Sequence, residues 1–156
     1  MATDERSDVS IPSEIARGQE VQERIMALVE DPARTFSPRS QFGMRLALEE
    51  AIINAIKHGN KLDPDKQVQI TYAVTDSTIF VSVEDEGAGF DPGDVPDPTD
   101  MENLDKPSGR GIVLMRNFLT RVEYIGRGNR VELELDEAVQ QERIAAAEAE
   151  EAANAG

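Results

Sequence analysis

The sequence contains no cysteine, no tryptophan and only one histidine, and aromatic residues occupy 4% of its 156 positions. The lack of cysteine excludes disulfides, thiolate metal sites and a cysteine nucleophile, and it fits a reducing compartment. No apolar run approaches the roughly 20 residues that a membrane-spanning helix needs, and the acidic start lacks the apolar region of a signal peptide. We therefore expect a cytoplasmic protein with no membrane association.

Basic residues are also scarce, because 16 Lys and Arg stand against 31 Asp and Glu and give a formal net charge of −15. Direct nucleic-acid binding is therefore not expected, since it needs a basic surface to neutralise phosphates. Nine acids lie between Glu84 and Asp105, a range without Lys or Arg, and six more follow from Asp136 onward. The negative charge is concentrated in one internal segment and one tail.

Hydrophobic periodicity predicts two helices in the first third of the chain. The first starts at Ser13 and ends before Asp31-Pro32. The second begins at Ser37-Pro38, a capping residue followed by proline at the first helical position, and continues to His58 before Gly59-Asn60 ends it. Apolar residues recur every four positions in this second helix, which predicts a buried stripe of Leu48, Ile52 and Ile56.

The pattern then changes to the alternation that is typical of strands. Residues 68–74 and 79–83 predict one antiparallel hairpin, and residues 121–125 and 130–135 predict a second. A short helix is predicted after Gly109-Arg-Gly111, with an acidic stretch rich in Pro and Gly before it, at about 86–108. That stretch is too long for an ordinary connection, which favours a lid or a binding loop.

This order of elements predicts the α/β (α+β) class: a two-layer sandwich in which a mixed, mostly antiparallel sheet carries helices on one face. Residues 1–12 are expected to form an N-terminal arm, in which residues 9–11 could add a short edge strand. The domain itself is expected at 13–135. The acidic Ala- and Glu-rich tail, 136–156, is expected to be a solvated, dispensable extension.

The second predicted helix carries a polar stripe, because Glu50, Asn54 and Lys57 follow each other at i, i+4 and i+7. An ordinary solvated helix face has the same pattern. A functional stripe would offer an amide oxygen to Mg²⁺ from Asn54, an ammonium group to phosphate from Lys57, and a general base from Glu50. The stripe by itself leaves both interpretations open.

Two glycine pairs follow the first hairpin. In Asp85-Glu-Gly87-Ala-Gly89-Phe90, the glycines let the backbone approach a ligand closely, and the aspartate can accept a hydrogen bond from an exocyclic amine. The second pair, in Ser108-Gly-Arg-Gly111, opens a helix whose unpaired N–H groups favour an anion. Ordinary turns and loop-to-helix junctions use the same residue types.

In combination, however, the order EExxxNAxKHG, DxGxGF and SGRGIxLM resembles the N, G1 and G2 boxes of the GHKL ATP-binding superfamily, over roughly Ile15 to Leu135. The resemblance implies a Bergerat fold that binds ATP, with the acidic stretch as the ATP lid. Asn129 departs from the pattern, because it stands where the family's Gly-x-Gly-Thr turn usually has threonine.

The resemblance also implies roles for individual residues. Asn54 looks like the Mg²⁺ ligand, Glu50 is the candidate general base, and Asp85 would bind the adenine amino group. The residues expected to contact the cofactor are Asn54, Lys57, Asp85, Gly87, Gly89, Phe90, Ser108, Gly109, Arg110 and Gly111.

The acidic residues of the expected lid would repel a triphosphate. We therefore expect the lid to be mobile without nucleotide and to close only when Mg²⁺, Lys57, Lys106 and Arg110 screen this charge.

Within the superfamily, the sequence is similar to the anti-sigma factor serine/threonine-protein kinases. The only histidine, His58, lies inside the N box, so a histidine kinase with its own phosphoacceptor is not expected. The similarity implies phosphorylation of a Ser or Thr on a STAS-domain antagonist, binding of a sigma factor or another regulatory protein, and a requirement for ATP and Mg²⁺. A homodimer through the first helix and the edge strand is compatible with it.

Two alternatives stay open. One is a non-catalytic, nucleotide-dependent binding switch, which the presence of Glu50 disfavours. The other is a stand-alone histidine-kinase-type catalytic domain that acts in trans.

Overall fold

The computed structural model describes residues 3–88 and 109–155. Its helices and strands, in chain order, are β1 (Thr3–Pro12), α1 (Ile15–Val29), α2 (Pro38–Ile53), a π-helical segment (Asn54–Gly59), β2 (Gln67–Val74), β3 (Thr78–Glu84), α3 (Gly109–Phe118), β4 (Arg121–Ile125), β5 (Arg130–Asp136) and α4 (Glu137–Asn154).

The strands form a single sheet in the order β1-β2-β3-β5-β4, and each neighbouring pair in the described part of the chain is antiparallel. The central strand β3 lies between its hairpin partner β2 and β5, so that Val81 pairs with Tyr72 on one side and with Leu133 on the other. Both predicted hairpins and the α+β class are confirmed. The parallel pairing that a mixed sheet would require does not occur among these strands.

The core lies between the apolar face of the sheet and the first three α-helices. The predicted stripe of Leu48, Ile52 and Ile56 is at most 1% exposed, and it packs in one cluster with strand residues such as Ile70 and Leu133. Burying each such side chain contributes about 1.5–3 kcal/mol. None of the helices in the described ranges is both long enough and apolar enough to span a bilayer.

The start of α2 follows its sequence signals, whereas the start of α1 does not. The Ser37 hydroxyl accepts a hydrogen bond from the Ser40 N–H at 3.1 Å, with Pro38 in the first turn. Ser13 is not a cap, because its hydroxyl donates to the Lys66 carbonyl at 2.8 Å, and α1 begins two residues later, at Ile15.

The N-terminal arm is more ordered than its polar composition suggests. Residues Ser7–Pro12 pair with β2 in continuous register, and the pairing resumes at Thr3 after an irregularity. This pairing provides hydrogen-bond partners for the backbone groups along the open edge of β2. Such backbone pairing depends little on side-chain type. The short edge strand expected at residues 9–11 is therefore part of a ten-residue strand.

The acidic tail is helical, and its first turn packs against the domain. Glu137 and Gln140 are only 7% and 8% exposed. The Glu137 carboxylate accepts from the Ser37 N–H at 3.1 Å, and the Gln140 amide donates to the Phe118 carbonyl at 3.1 Å. From Gln141 onward the described residues of α4 are exposed, except for the half-buried Ile144.

The contact of Glu137 with α2 predicts a pH dependence of stability. Burial raises the pKa of Glu137, but hydrogen bonds from Gln141, Ser40 and Ser37 outweigh burial and hold this pKa below its ordinary value of 4.5. A carboxyl group whose pKa is lowered by folding stabilises the protein above its unfolded pKa, and this contribution is lost as the pH falls through the folded pKa.

We expect Glu137→Gln to lower the free energy of unfolding at pH 7 by about 1 kcal/mol, because the hydrogen bonds to the charged oxygens weaken. The difference from the wild type should shrink below the ordinary pKa of 4.5. Urea unfolding between pH 7 and pH 3 measures it. Glu142→Gln, on the exposed part of the same helix, should have no effect. A stability difference between Glu137→Gln and the wild type that is constant over the whole pH range would contradict the role of the ionised Glu137 carboxylate.

Candidate functional site

The C-terminal half of α2 presents a carboxylate and an amide side by side. Glu50 and Asn54 are both half-buried, and the Asn54 amide nitrogen donates to Glu50 Oε1 at 3.2 Å. This bond turns the Asn54 oxygen away from the carboxylate, so that it can serve as a ligand for a cation or as an acceptor. Two of the three residues of the predicted polar stripe are therefore in contact.

The third residue, Lys57, does not continue this stripe. The helix changes from α to π at Asn54, and the π-helical segment is closed by a hydrogen bond from the Asn60 N–H to the Ala55 carbonyl at 2.8 Å. A π turn holds more residues than an α turn, so side chains after Asn54 are rotated relative to the α-helical spacing. Lys57 is exposed. π turns inside helices occur often at functional sites.

The first turn of α3 lies directly against Glu50. A Cβ atom built on Gly111 would be 2.0 Å from Glu50 Oε1, so a larger residue at this position would have to displace the Glu50 carboxylate. The N-terminus of a helix carries unpaired N–H groups and a partial positive charge. The structure therefore places the N-terminus of a helix, a position that favours anions, next to the Glu50 and Asn54 pair.

The turn after β3 packs against the end of the π-helical segment. A Cβ atom on Gly59 would lie 2.2 Å from Asp85 Oδ2, and one on Gly87 would lie 2.2 Å from the Gly59 carbonyl oxygen. The Gly87 N–H donates to Asp85 Oδ1 at 2.7 Å. The Asp85 carboxyl group is thus enclosed by two backbone segments, with one of its oxygens already bound to its own turn.

Asn129 holds the backbone of Asp85. The Asp85 N–H donates to the Asn129 carbonyl at 2.9 Å, and the Asn129 side-chain amide donates to the Asp85 carbonyl at 2.8 Å. The residue that departs from the Gly-x-Gly-Thr pattern therefore supports the aspartate from the turn between β4 and β5.

Two groups at the site have shifted pKa values. Burial raises the pKa of the Asp85 carboxyl, and this effect exceeds the opposing effects of the Gly87 N–H and of the positive charges of Arg127 and Lys66. Burial also raises the pKa of the Tyr124 phenol, and the negative charge of Glu50 raises it further. Sequence analysis did not identify Tyr124, since a tyrosine in an alternating strand has the pattern of a core residue.

The remaining predicted site residues belong to the two glycine motifs. Gly109 and Arg110 lie in the first turn of α3, beside Gly111. Gly89, Phe90 and Ser108 lie outside the described residues, and so does most of the expected lid at 86–108.

The two ends of the site are joined by one continuous helix. Glu50 and Gly59 are nine residues apart, which corresponds to at most about 13.5 Å along the helix. One end offers the half-buried Asp85 carboxylate, which can accept from an amine, and the other offers a helix N-terminus with the Glu50 carboxylate beside it. This arrangement suits an elongated ligand with an amine-bearing base at one end and phosphates at the other.

Comparisons with known proteins find a family match over most of the chain. A family model described as "Histidine kinase-like ATPase domain" matches residues 11–135. The chain is 34% identical over 86 residues to "Anti-sigma F factor" of Heyndrickxia coagulans, covering 52% of this chain and 57% of that protein. It is 29% identical over 91 residues to "Serine/threonine-protein kinase BtrW" of Bordetella bronchiseptica, covering 57% and 64%.

A second "Anti-sigma F factor", from Shouchella clausii, is 34% identical over 85 residues, covering 53% of this chain and 58% of that protein. The matched regions thus span about three fifths of the length of these relatives.

The burial of Asp85 predicts that its charge costs stability. A carboxyl group whose pKa is raised by folding contributes stability that is fully present below its unfolded pKa and is lost as the pH rises through the folded pKa. Asp85→Asn keeps an oxygen that can accept from the Gly87 N–H but removes the charge. Without any ligand, we therefore expect this variant to melt at a higher temperature than the wild type at pH 7.

The difference should disappear below the ordinary Asp85 pKa of 3.8. Thermal unfolding at several pH values tests this expectation. The exposed Asp65→Asn is the matched control and should melt like the wild type. A lower melting temperature for Asp85→Asn at pH 7 would show that the ionised carboxylate stabilises the turn.

Proposed function

Because the chain belongs to the histidine kinase-like ATPase family, we propose that it is an ATP-dependent serine/threonine-protein kinase of the anti-sigma-factor type. The observation that carries the proposal is the carboxylate of Glu50, in contact with Asn54 and with the first turn of α3. A module that only bound nucleotide would not need a potential general base beside the phosphate-binding helix end. Similarity to an anti-sigma factor and to a serine/threonine-protein kinase supports the same class.

In this proposal ATP lies along the C-terminal half of α2 and the π-helical segment. The adenine amino group donates to the Asp85 oxygen that the Gly87 N–H does not occupy. The phosphates lie at the start of α3, where the N–H groups of its first turn favour negative charge. Contacts from Lys57, Gly89, Phe90, Ser108 and the Arg110 side chain remain predictions from the sequence motifs.

The residues at the phosphate end fit Mg²⁺. No group of three or more His, Cys, Asp or Glu side chains in the described ranges could hold a metal by itself. Mg²⁺ bound with a nucleotide needs only one or two protein oxygens, because phosphates and water supply the others. We propose the Asn54 oxygen as its protein ligand, since the amide is already oriented by Glu50. The ion would neutralise charge on the phosphates.

The transfer step requires a protein hydroxyl beside Glu50. The serine or threonine oxygen forms a bond to the γ-phosphorus as the bond between that phosphorus and the β,γ-bridging oxygen breaks, and ADP leaves with the electron pair. The hydroxyl proton passes to the Glu50 carboxylate. A positioned base of this kind contributes typically about 10²–10⁴-fold to the rate, while the helix end stabilises the transferring charge.

We further propose that the phosphate acceptor is a Ser or Thr of a STAS-domain antagonist, and that a sigma factor or another regulatory protein is the second partner. This part of the proposal comes from the family resemblance and from the names of the relatives. Binding of both partners by one chain would let phosphorylation of the antagonist decide which of them is held.

ATP binding itself is tested by melting. Saturating Mg-ATP, at about 100 times its dissociation constant, should stabilise the folded protein by roughly 2.7 kcal/mol, which raises the melting temperature by several degrees. Asn54→Ala should lose most of this increase, because the proposed metal ligand is removed. The exposed Asn117→Ala, on α3, should behave like the wild type. An equal increase for Asn54→Ala would contradict the role of Asn54.

The kinase reaction is tested with γ-labelled ATP, Mg²⁺ and each STAS-domain protein of the source organism. We expect acid-stable label on a Ser or Thr of one of them, and we expect Glu50→Gln to reduce its rate by about 10²–10⁴-fold without loss of the melting shift. Gly111→Ala should cause a similar loss, because its Cβ atom would displace the Glu50 carboxylate.

The neighbouring, exposed Glu49→Gln is the matched control and should transfer phosphate normally. Unchanged turnover in Glu50→Gln would rule out Glu50 as the base. Acid-labile label on a histidine of a partner would indicate the trans-acting histidine-kinase alternative. ATP binding without any transfer would indicate the non-catalytic switch.

A further inference from the structure

We propose that Asn60 is a positioning residue that orients Asp85 for recognition of the adenine amino group. The inference rests on the proposed ATP binding and adds a residue that the ATP-site motifs do not assign. In the sequence, Asn60 only marks the end of the helix after Gly59. In the structure it is a completely buried polar side chain, with 0% exposure, at the junction of four chain segments.

The amide group of Asn60 makes three hydrogen bonds to distant parts of the chain. Its oxygen accepts from the Glu86 N–H at 2.8 Å. Its nitrogen donates to the Ser13 hydroxyl at 3.0 Å and to the Gln67 carbonyl at 3.0 Å. Both amide hydrogens are therefore used, and the side chain connects the end of the π-helical segment to the β1–α1 junction, to the start of β2 and to the turn that follows β3.

The bond to the Glu86 N–H acts directly on Asp85. That N–H belongs to the same peptide group as the Asp85 carbonyl, which accepts from the Asn129 side chain at 2.8 Å. Two asparagine side chains thus hold one rigid peptide plane from two sides. The orientation of this plane determines where the Asp85 side chain leaves the backbone.

A second contact holds the same turn. The Glu86 carboxylate accepts a hydrogen bond from the Gln67 N–H, while the Gln67 carbonyl accepts from Asn60. Asn60 and Glu86 therefore attach the turn to β2 through the two backbone groups of a single residue. Glu86 is exposed, however, so that its bond competes with water, whereas the bonds of Asn60 do not.

Asn60 also sets the position of the turn relative to the phosphate end. It directly follows the helix that carries Glu50 and Asn54. Its bond to Glu86 therefore links the turn after β3, which is proposed to bind adenine, to the proposed catalytic helix. Loss of this bond should weaken recognition of the adenine ring and leave the phosphate contacts in place. A residue with only a structural role would instead lower stability without changing the preference between bases.

The test compares ATP with purine riboside triphosphate, which differs only in lacking the exocyclic amine. For the wild type we expect ATP to bind roughly 10- to 100-fold more tightly, because the amine donates to a charged carboxylate. Asn60→Ala should bring this ratio toward equality by weakening ATP binding, with little change in the affinity for the analogue. Titrations with Mg²⁺ present measure both dissociation constants.

Two further variants separate positioning from stability. Ser13→Ala removes one partner of Asn60 but not the Glu86 contact, so it should lower the melting temperature and keep the wild-type ratio. Asn60→Asp keeps an oxygen that can accept from the Glu86 N–H, so it should also keep the ratio. If Asn60→Ala does not fold, Asn129→Ala removes the other side-chain bond to the same peptide group and should likewise lower the ratio, and an unchanged ratio there would overturn the inference.

The inference is overturned if folded Asn60→Ala discriminates between the two nucleotides as the wild type does, or if folded Asn60→Asp loses the discrimination. A wild type that binds both nucleotides equally would also overturn it, while leaving ATP binding intact. A wild type that binds neither would instead contradict the proposed function, and the inference with it.

Discussion

The candidate site depends on two close approaches to one helix. The start of α3 approaches it at Glu50, and the turn after β3 approaches it at Gly59. At one end of α2, the absence of a side chain on Gly111 lets the start of α3 reach Glu50. At the end of the π-helical segment that follows α2, Gly59 and Gly87 let the helix and the turn after β3 enclose the Asp85 carboxyl. These approaches place the Glu50 and Asn54 pair beside the start of α3, and the half-buried Asp85 beside Gly59.

The buried Glu137 and the half-buried Asp85 show how hydrogen bonds decide whether burial raises the pKa of a carboxyl group. Glu137 accepts several hydrogen bonds at the start of α2, which outweigh burial and lower its pKa. Asp85 accepts one from its own turn, which does not outweigh burial, and its pKa is raised. The hydrogen bonds to Glu137 are those of a carboxylate that stabilises the fold. Asp85 keeps an oxygen with capacity for a ligand, and such perturbed groups in enclosed positions are candidates for function.

Much of the fold was predictable from local patterns. The Leu48, Ile52 and Ile56 stripe, both hairpins and the Ser37 cap depend on residues close in sequence, and the structure confirms them. The full length of β1 was not predictable, because its polar residues are ordered by backbone pairing with β2. The docking of the first turn of α4 was missed for a similar reason, since Glu137 is held by a backbone N–H from the distant Ser37.

The sequence alone determined the helices, the hairpins and the three motifs, because periodicity and motif spacing are local properties that the chain carries before it folds. Only the tertiary structure decided which of those residues meet. It placed Glu50 and Asn54 together and continued the helix past them as a π-helical segment, on which Lys57 is exposed. It also made Asn60 and Asn129 hold one peptide group, through contacts that span 26 and 44 residues of chain. Such pairs leave no periodic signal, since they form only when separate segments pack against each other.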